Sequence, residues 1–337
     1  MTSGSLIKAS EVHPELFHYT GWAGVEGILR TQSLWATHWR YLNDPTEPRT
    51  ARDLLPKLIA PAFAAKLRER IRRDPEFARS LRSDIQVDEA AVEGAYEMVE
   101  KMHDTLCPDN PEKQVFEFYV SSFCTHERDH GGVREHGLLS QWRAYGRDGG
   151  FALVFDTLGL EALMEVEAKA WPCHLSLGDV AYSSDSAEVV RERLDGLREL
   201  GASAFEFAVQ PSEESASKTL NPALNCYPFF KHWAYSDERE VRLLAVLNGA
   251  AARDEHARAG ESWPERPRVS FQRNGCVLPT IHLFEDLAVD WVPRLPIRRI
   301  IVGPGPRQDD SMRRLGNLLN ALVLPIPYWR SVIPLRW

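Results

Sequence analysis

Glu15-Leu16-Phe17-His18-Tyr19-Thr20 is rich in aromatic and branched side chains and reads as a short strand. Gly21 closes it. Val25, Ile28 and Leu29 then recur at helical spacing over residues 24–32, and Ser33-Leu34-Trp35-Ala36-Thr37 is extended again. Trp39-Arg40-Tyr41-Leu42-Asn43-Asp44-Pro45 breaks into a loop, because Asn-Asp-Pro favours a turn and stops helices. The opening order is therefore strand, short helix, strand, loop.

Beyond this unit, Leu54, Leu55, Leu58, Ile59, Phe63 and Leu67 step by three and four residues, and residues 90–102 repeat the theme. The pattern predicts a helical insertion at about 48–112, jointed at Pro75 and Ser83-Asp84. Strands are expected at 116–124, 151–155, 180–182, the second half of 237–246, 269–272, 287–291 and 299–302, with a last extended piece near 331–335. Helices are expected at 186–208 and 309–321, and residues 211–225 read as irregular. Strands and helices mix without regular βαβ alternation. The expected fold class is α+β, a mixed, mostly antiparallel sheet in a single domain spanning 1–337.

The chain has 337 residues, 40 Lys+Arg against 48 Asp+Glu, and a formal charge of −8. The acidic balance disfavours a protein that coats nucleic acid through bulk charge. Five widely spaced cysteines without a CxxC argue against a disulfide scaffold or a zinc ribbon, and a reducing cytoplasm is the expected setting. No apolar run reaches the roughly 18–20 residues of a membrane span, and the N-terminus lacks the order of a signal peptide.

Three segments carry groups able to do chemistry. On a strand His18 and Thr20 share a face, suited to a hydroxyl-rich ligand, while Tyr19 faces the other way; on periodicity alone, packing of His18 and helix capping by Thr20 is the favoured explanation. In Glu238-Arg239-Glu240-Val241-Arg242, an in-register strand lines Glu238, Glu240 and Arg242 on one face. Two carboxylates there are costly unless exposed, paired or functional, and such a pair can divide catalytic roles. Ser121 and Ser122 lie on a strand between aromatics and could support a ligand, without any GxSxG of a serine hydrolase. His126-Glu127-Arg128-Asp129-His130 has the letters of a zinc motif, but Gly131-Gly132 directly after it argues for a loop.

Together these segments resemble a bacterial family known as domain of unknown function 2971. The residues that carry the likeness are His18-Tyr19-Thr20, Gly27-Ile28-Leu29, Asn43-Asp44-Pro45-Thr46-Glu47, Ser122-Phe123, Trp142, Tyr145, Gly146, Phe155 and Asp156. Later come Trp233, Glu238, Glu240 and Arg242, then Ile297, Ile300, Gly303 and Pro304, and finally Ser331, Ile333, Pro334 and Arg336. More distantly, a His-x-Thr strand followed by a helix and a second strand resembles the start of the ADP-ribosyltransferase fold. That resemblance implies NAD as substrate, held by His18, Tyr19, Thr20, Ser121, Ser122 and Tyr145. It implies Glu240 as the catalytic carboxylate and Glu238 as the group positioning a nucleic acid or protein acceptor, with no metal and no membrane. It also implies a setting such as a toxin or phage-defence system. Two alternatives stay open: a metal-dependent nuclease or hydrolase built on Asp44, Glu47, Glu238 and Glu240, and a non-catalytic binding module.

Overall fold

A computed structural model of the chain describes residues 8–81, 86–126, 131–146, 149–171, 173–194, 196–260, 264–273, 275–285, 287 and 295–334. Among them are the strands β1 (Glu15–Thr20), β2 (Leu34–His38), β3 (Phe116–Cys124), β4 (Phe151–Asp156), β5 (His174–Asp179) and β6 (Ala181–Tyr182). They continue with β7 (Phe230–Lys231), β8 (Glu240–Asn248), β9 (Arg268–Arg273), β10 (Cys276–Leu283), β11 (Ile297–Val302) and β12 (Tyr328–Arg330). Ten form one sheet along the path β12-β11-β4-β1-β3-β2-β10-β9, with β8 paired to β3 and β5 paired to β8; β6 and β7 form a small pair of their own. Within the large sheet only β11–β12 is parallel. The fold is α+β with a mostly antiparallel sheet.

Both sheet faces are covered, as the nearly unbroken apolar runs of β4 and β8 require. On one face Phe118, Val120, Leu244 and Val246 pack with the helices Glu47–Arg73, Val87–Leu106, Leu197–Val209 and Glu213–Cys226. On the other, Tyr119, Phe123, Val241, Leu243 and Ala245 pack with Trp22–Thr31, Thr157–Ala170 and Gln308–Ala321. A smaller cluster around Trp142, Tyr19, Phe17 and Cys124 lies at the end of the first face. Gly303 lets the chain pass Trp142, since a Cβ there would come within 2.7 Å of the indole.

The stretch expected as a helical insertion holds helices Glu47–Arg73, Pro75–Ser80 and Val87–Leu106, with Asp74 capping the second; Ser83-Asp84 lies outside the described residues. Several expectations are corrected. The single helix over 186–208 is two, Ala187–Arg193 and Leu197–Val209, with Gly196 at the start of the second. The irregular 211–225 is the helix Glu213–Cys226, whose polar letters include a reciprocal Ser212–Ser215 cap and an exposed face. The final strand is Tyr328–Arg330, ahead of the expected 331–335. Leu287 is not in a strand, and residues 288–291 lie outside the described residues. β5 was not anticipated, nor was β10 between its charged neighbours. Among the described residues no helix is long and apolar enough to cross a membrane.

Candidate functional site

The site begins with a split in the sheet. β8 runs along the whole of one edge of β3, from Phe116↔Asn248 to Cys124↔Glu240. The opposite edge is shared, for β1 meets it at Phe17↔Cys124 and β2 at Thr37↔Val120 and His38↔Tyr119. Between these contacts β1 and β2 part from β3 over Ser121, Ser122 and Phe123. Backbone groups freed by such a split need other partners. His18 Nδ1 lies 2.9 Å from the Ser122 carbonyl, and Ser121 Oγ donates to the Trp35 carbonyl at 2.9 Å. Because a carbonyl only accepts, His18 carries its proton on Nδ1, and Nε2 is the acceptor of the neutral ring. Burial disfavours the imidazolium more than the Ser122 carbonyl favours it, so the His18 pKa is lowered.

Ser122 also joins the split to a charged cluster. Its hydroxyl donates to Glu240 Oε1 at 2.6 Å. Arg242 donates to both Glu240 oxygens (Nε 2.8 Å, Nη2 3.1 Å), to both Glu47 oxygens (Nη1 2.9 Å, Nη2 2.5 Å) and to the Pro228 carbonyl (2.6 Å). All five guanidinium donors are used. Lys231 Nζ bridges Glu240 Oε2 at 2.7 Å and Glu238 Oε2 at 2.6 Å. Tyr145 donates to Glu238 Oε1 at 3.0 Å and accepts from Asn43 Nδ2 at 3.1 Å. The Glu240 backbone N–H donates to the Tyr182 hydroxyl at 2.8 Å.

Burial divides the two carboxylates. The Glu240 side chain is 2% exposed and each oxygen accepts two hydrogen bonds, whereas Glu238 is 19% exposed and each oxygen accepts one. Burial alone would raise the Glu240 carboxyl, but Arg242 and then Lys231 outweigh it and hold it at about 2. For Glu47, burial outweighs Arg242, and its pKa is raised. Burial and then the neighbouring Glu238 push the Tyr145 phenol up, so it stays a donor. Three carboxyl groups meet two cations, and the solvent end of the cluster is Glu238.

The expected alignment of Glu238, Glu240 and Arg242 on one strand face is corrected in part. Glu238 ends the 3-10 turn Trp233–Glu238, Arg239 is left-handed (φ 44°), and β8 begins at Glu240. Only Glu240 and Arg242 share a strand face. Glu238 reaches the cluster because the turn folds it back over Lys231.

Alternation also divides the remaining residues. His18, Thr20 and Ser121 belong to the sheet face of Phe123, and Ser122, Glu240 and Arg242 to the opposite one; the two sets meet at the split, through the His18–Ser122 bond. Thr20 lies against the first turn of Trp22–Thr31, where a Cβ on Gly24 would come within 2.0 Å of its hydroxyl. Tyr19 packs 4.7 Å from Trp142 and accepts from the Leu138 N–H at 2.8 Å, which steadies the helix Leu139–Tyr145 that delivers Tyr145. Lys231 and Tyr182 escaped sequence reading as site residues, because nothing local marks them. Glu47 was legible as the end of Asn43-Asp44-Pro45-Thr46-Glu47. Of the zinc-like letters, residues 127–130 lie outside the described residues, and among the described residues no three His, Cys, Asp or Glu are placed to hold a metal ion.

A family described as Protein of unknown function (DUF2971) matches residues 141–243. Over that stretch the chain is similar to this family. The matched stretch contains Trp142, Tyr145, Tyr182, Lys231, Glu238, Glu240 and Arg242, while His18, Asn43, Glu47 and Ser122 come from outside it. No curated protein and no solved structure matches the chain.

Proposed function

We propose that the protein consumes NAD at the β1/β2 split, releasing nicotinamide and passing ADP-ribose to water or to a nucleic acid or protein acceptor. The observation that carries this reading is the relay His18–Ser122–Glu240, which joins an early imidazole to a late carboxylate more than two hundred residues away. As nicotinamide leaves with the electrons of its glycosidic bond, positive charge grows on the ribose carbon and oxygen. A preorganised negative field stabilises that charge, as carboxylates do in glycoside hydrolysis.

The carboxylates of the cluster supply such a field, with Glu238 as the accessible end and Glu240 as the ionised group that fixes Lys231 and Arg242 beneath it. His18 and Ser122 line the split, and Tyr145 orients Glu238. Lys231 and Arg242 occupy the carboxylate oxygens of Glu47, Glu238 and Glu240, which favours this reading over a metal-dependent hydrolase.

The test is nicotinamide release from NAD by the purified protein. Glu238→Gln should lower kcat/KM roughly 100-fold or more with the thermal midpoint preserved, because it removes the exposed charge without opening the buried pair. Wild-type protein that neither binds nor cleaves NAD overturns the reading.

A further inference from the structure

The helix Leu139–Tyr145 brings Tyr145 to Glu238, yet seven residues are too few to hold a helix in place without outside contacts. Its anchor is Trp142, one turn before Tyr145. The indole is fully buried, packs 4.7 Å from the Tyr19 ring and donates from Nε1 to the His136 carbonyl at 2.9 Å. Whatever fixes that carbonyl therefore fixes the helix and the phenol at its end.

His136 ends the short helix Gly131–His136, whose last carbonyls need partners from outside it. Three side chains from late in the chain supply them. Arg299 Nη2 donates to the Arg134 carbonyl at 3.3 Å, Trp329 Nε1 to the Glu135 carbonyl at 2.7 Å and Ser331 Oγ to the His136 carbonyl at 2.7 Å. The His136 oxygen thus takes two donors, the Trp142 indole and the Ser331 hydroxyl. Ser331 is buried and pinned through its backbone, its N–H donating to the Val302 carbonyl at 2.8 Å and its carbonyl accepting from Gln308 Nε2 at 2.9 Å. Its hydroxyl oxygen accepts from the Ile333 N–H at 3.3 Å, so its one proton is committed to His136. A hydroxyl held in this way defines where the carbonyl stands, and cannot follow it elsewhere.

We propose that Ser331 is a positioning residue for the site, setting through the His136 carbonyl and Trp142 the place where the Tyr145 phenol meets Glu238. Tyr145 donates to Glu238 Oε1 at 3.0 Å, so a shift of its helix moves the accessible carboxylate as well. The chain of contacts runs from the end of the protein to the site without touching the buried Glu240–Arg242 pair. The chemical part of this inference rests on the NAD reading; the mechanical part rests on the hydrogen bonds alone.

Ser331→Ala in the full chain tests both parts. Amide hydrogen exchange of residues 142–146 should quicken by about 5-fold, the share of one buried hydrogen bond, while β4 keeps its protection. For nicotinamide release, kcat should fall about 10-fold or more at an unchanged KM, because Glu238 meets a charge that develops only in the transition state. In a Tyr145→Phe background the same change should leave kcat where it is, whereas a general loss of stability would act in both backgrounds. Unchanged exchange over 142–146 overturns the proposal, as does a kcat loss of equal size with and without the Tyr145 hydroxyl. If the wild-type chain leaves NAD intact, the NAD reading fails, and the exchange rates alone decide whether Ser331 holds this helix. Should Ser331→Ala not fold, Ser331→Cys, a weaker donor of similar size, takes its place with the same readouts.

Discussion

Arg242→Met is the perturbation that most directly tests how the charged cluster is held. Methionine retains much of the side-chain volume but removes five donors, four of them to Glu47 and Glu240 and one to the Pro228 carbonyl. Both carboxylates are nearly inaccessible, so water cannot replace the lost partner, and Lys231 alone would face three acids. Breaking a buried ion pair from one side costs about 3–5 kcal/mol. For a chain of this size that corresponds to a fall in Tm of about 4–7 °C.

The pH dependence of that loss has a definite sign. Without Arg242 the folded-state pKa values of Glu47 and Glu240 rise above their ordinary 4.5, so the folded variant binds protons that the unfolded chain does not. Lowering the pH from 7 towards 5 should therefore shrink the difference from wild type. The double variant Glu47→Gln/Arg242→Met should lose less than the sum of its single changes, because both touch the same buried pair. Urea denaturation at several pH values measures all of this. A cost under about 1 kcal/mol at pH 7, or one that does not change with pH, would refute the reasoning.

The wild-type chain should respond to acid in two windows. Burial lowers the His38 pKa from 6.5 to about 4, so its stabilising contribution is complete above pH 6.5 and is lost as the pH falls to about 4. The loss is about 3 kcal/mol, and His38→Gln should flatten that part of a denaturation-versus-pH curve. Glu240, lowered from 4.5 to about 2, contributes stability above pH 4.5 that disappears between there and about 2; Glu240→Gln should remove this second slope. Gly249→Ala would set a Cβ 2.1 Å from the Gln114 carbonyl oxygen, a clash with backbone, and should cost about 1–3 kcal/mol by the same denaturation assay. Among the five cysteines, Cys276 is exposed while burial pushes the thiols of Cys107 and Cys173 up to about 12 and 11, so a thiol reagent should label Cys276 well before the rest.

Much of the fold was legible because periodicity reports burial. The run over 151–155 and the second half of 237–246 are continuous apolar strands, and they are covered on both faces by helices. The misreadings share one cause, namely partners remote in sequence. Residues 211–225 looked irregular because their polar letters dominate, yet Thr219, Pro222, Ala223, Leu224 and Cys226 supply a buried stripe that packs beside Leu197–Val209 and Phe229. β5 is His174-Leu175-Ser176-Leu177-Gly178-Asp179, weak in local propensity, and becomes a strand by pairing residue for residue with β8.

The candidate site was legible as a set of residues but not as an arrangement. Period two correctly separates His18 and Thr20 from Tyr19, and places Glu240 and Arg242 on one face, while the β3–β8 register brings Ser122 to them. It contains nothing about where β1 and β2, both seeking the same edge of β3, must part. That competition turns residues on opposite faces into neighbours, since His18 can bond the Ser122 carbonyl only where the strand edge is open. The left-handed Arg239 has the same character, because one positive φ moves Glu238 out of the strand and beneath Tyr145 while leaving Glu240 locked by Arg242. An E-x-E spacing thus yields one buried acid that is ionised at neutral pH and one accessible acid. A carboxylate already saturated by two cations has little capacity left to meet a developing positive charge, whereas one with a lone pair open on each oxygen can do so. In the proposed reading, NAD cleavage at this split depends on Glu238 for contact and on Glu240 for the charge balance that keeps Glu238 in place.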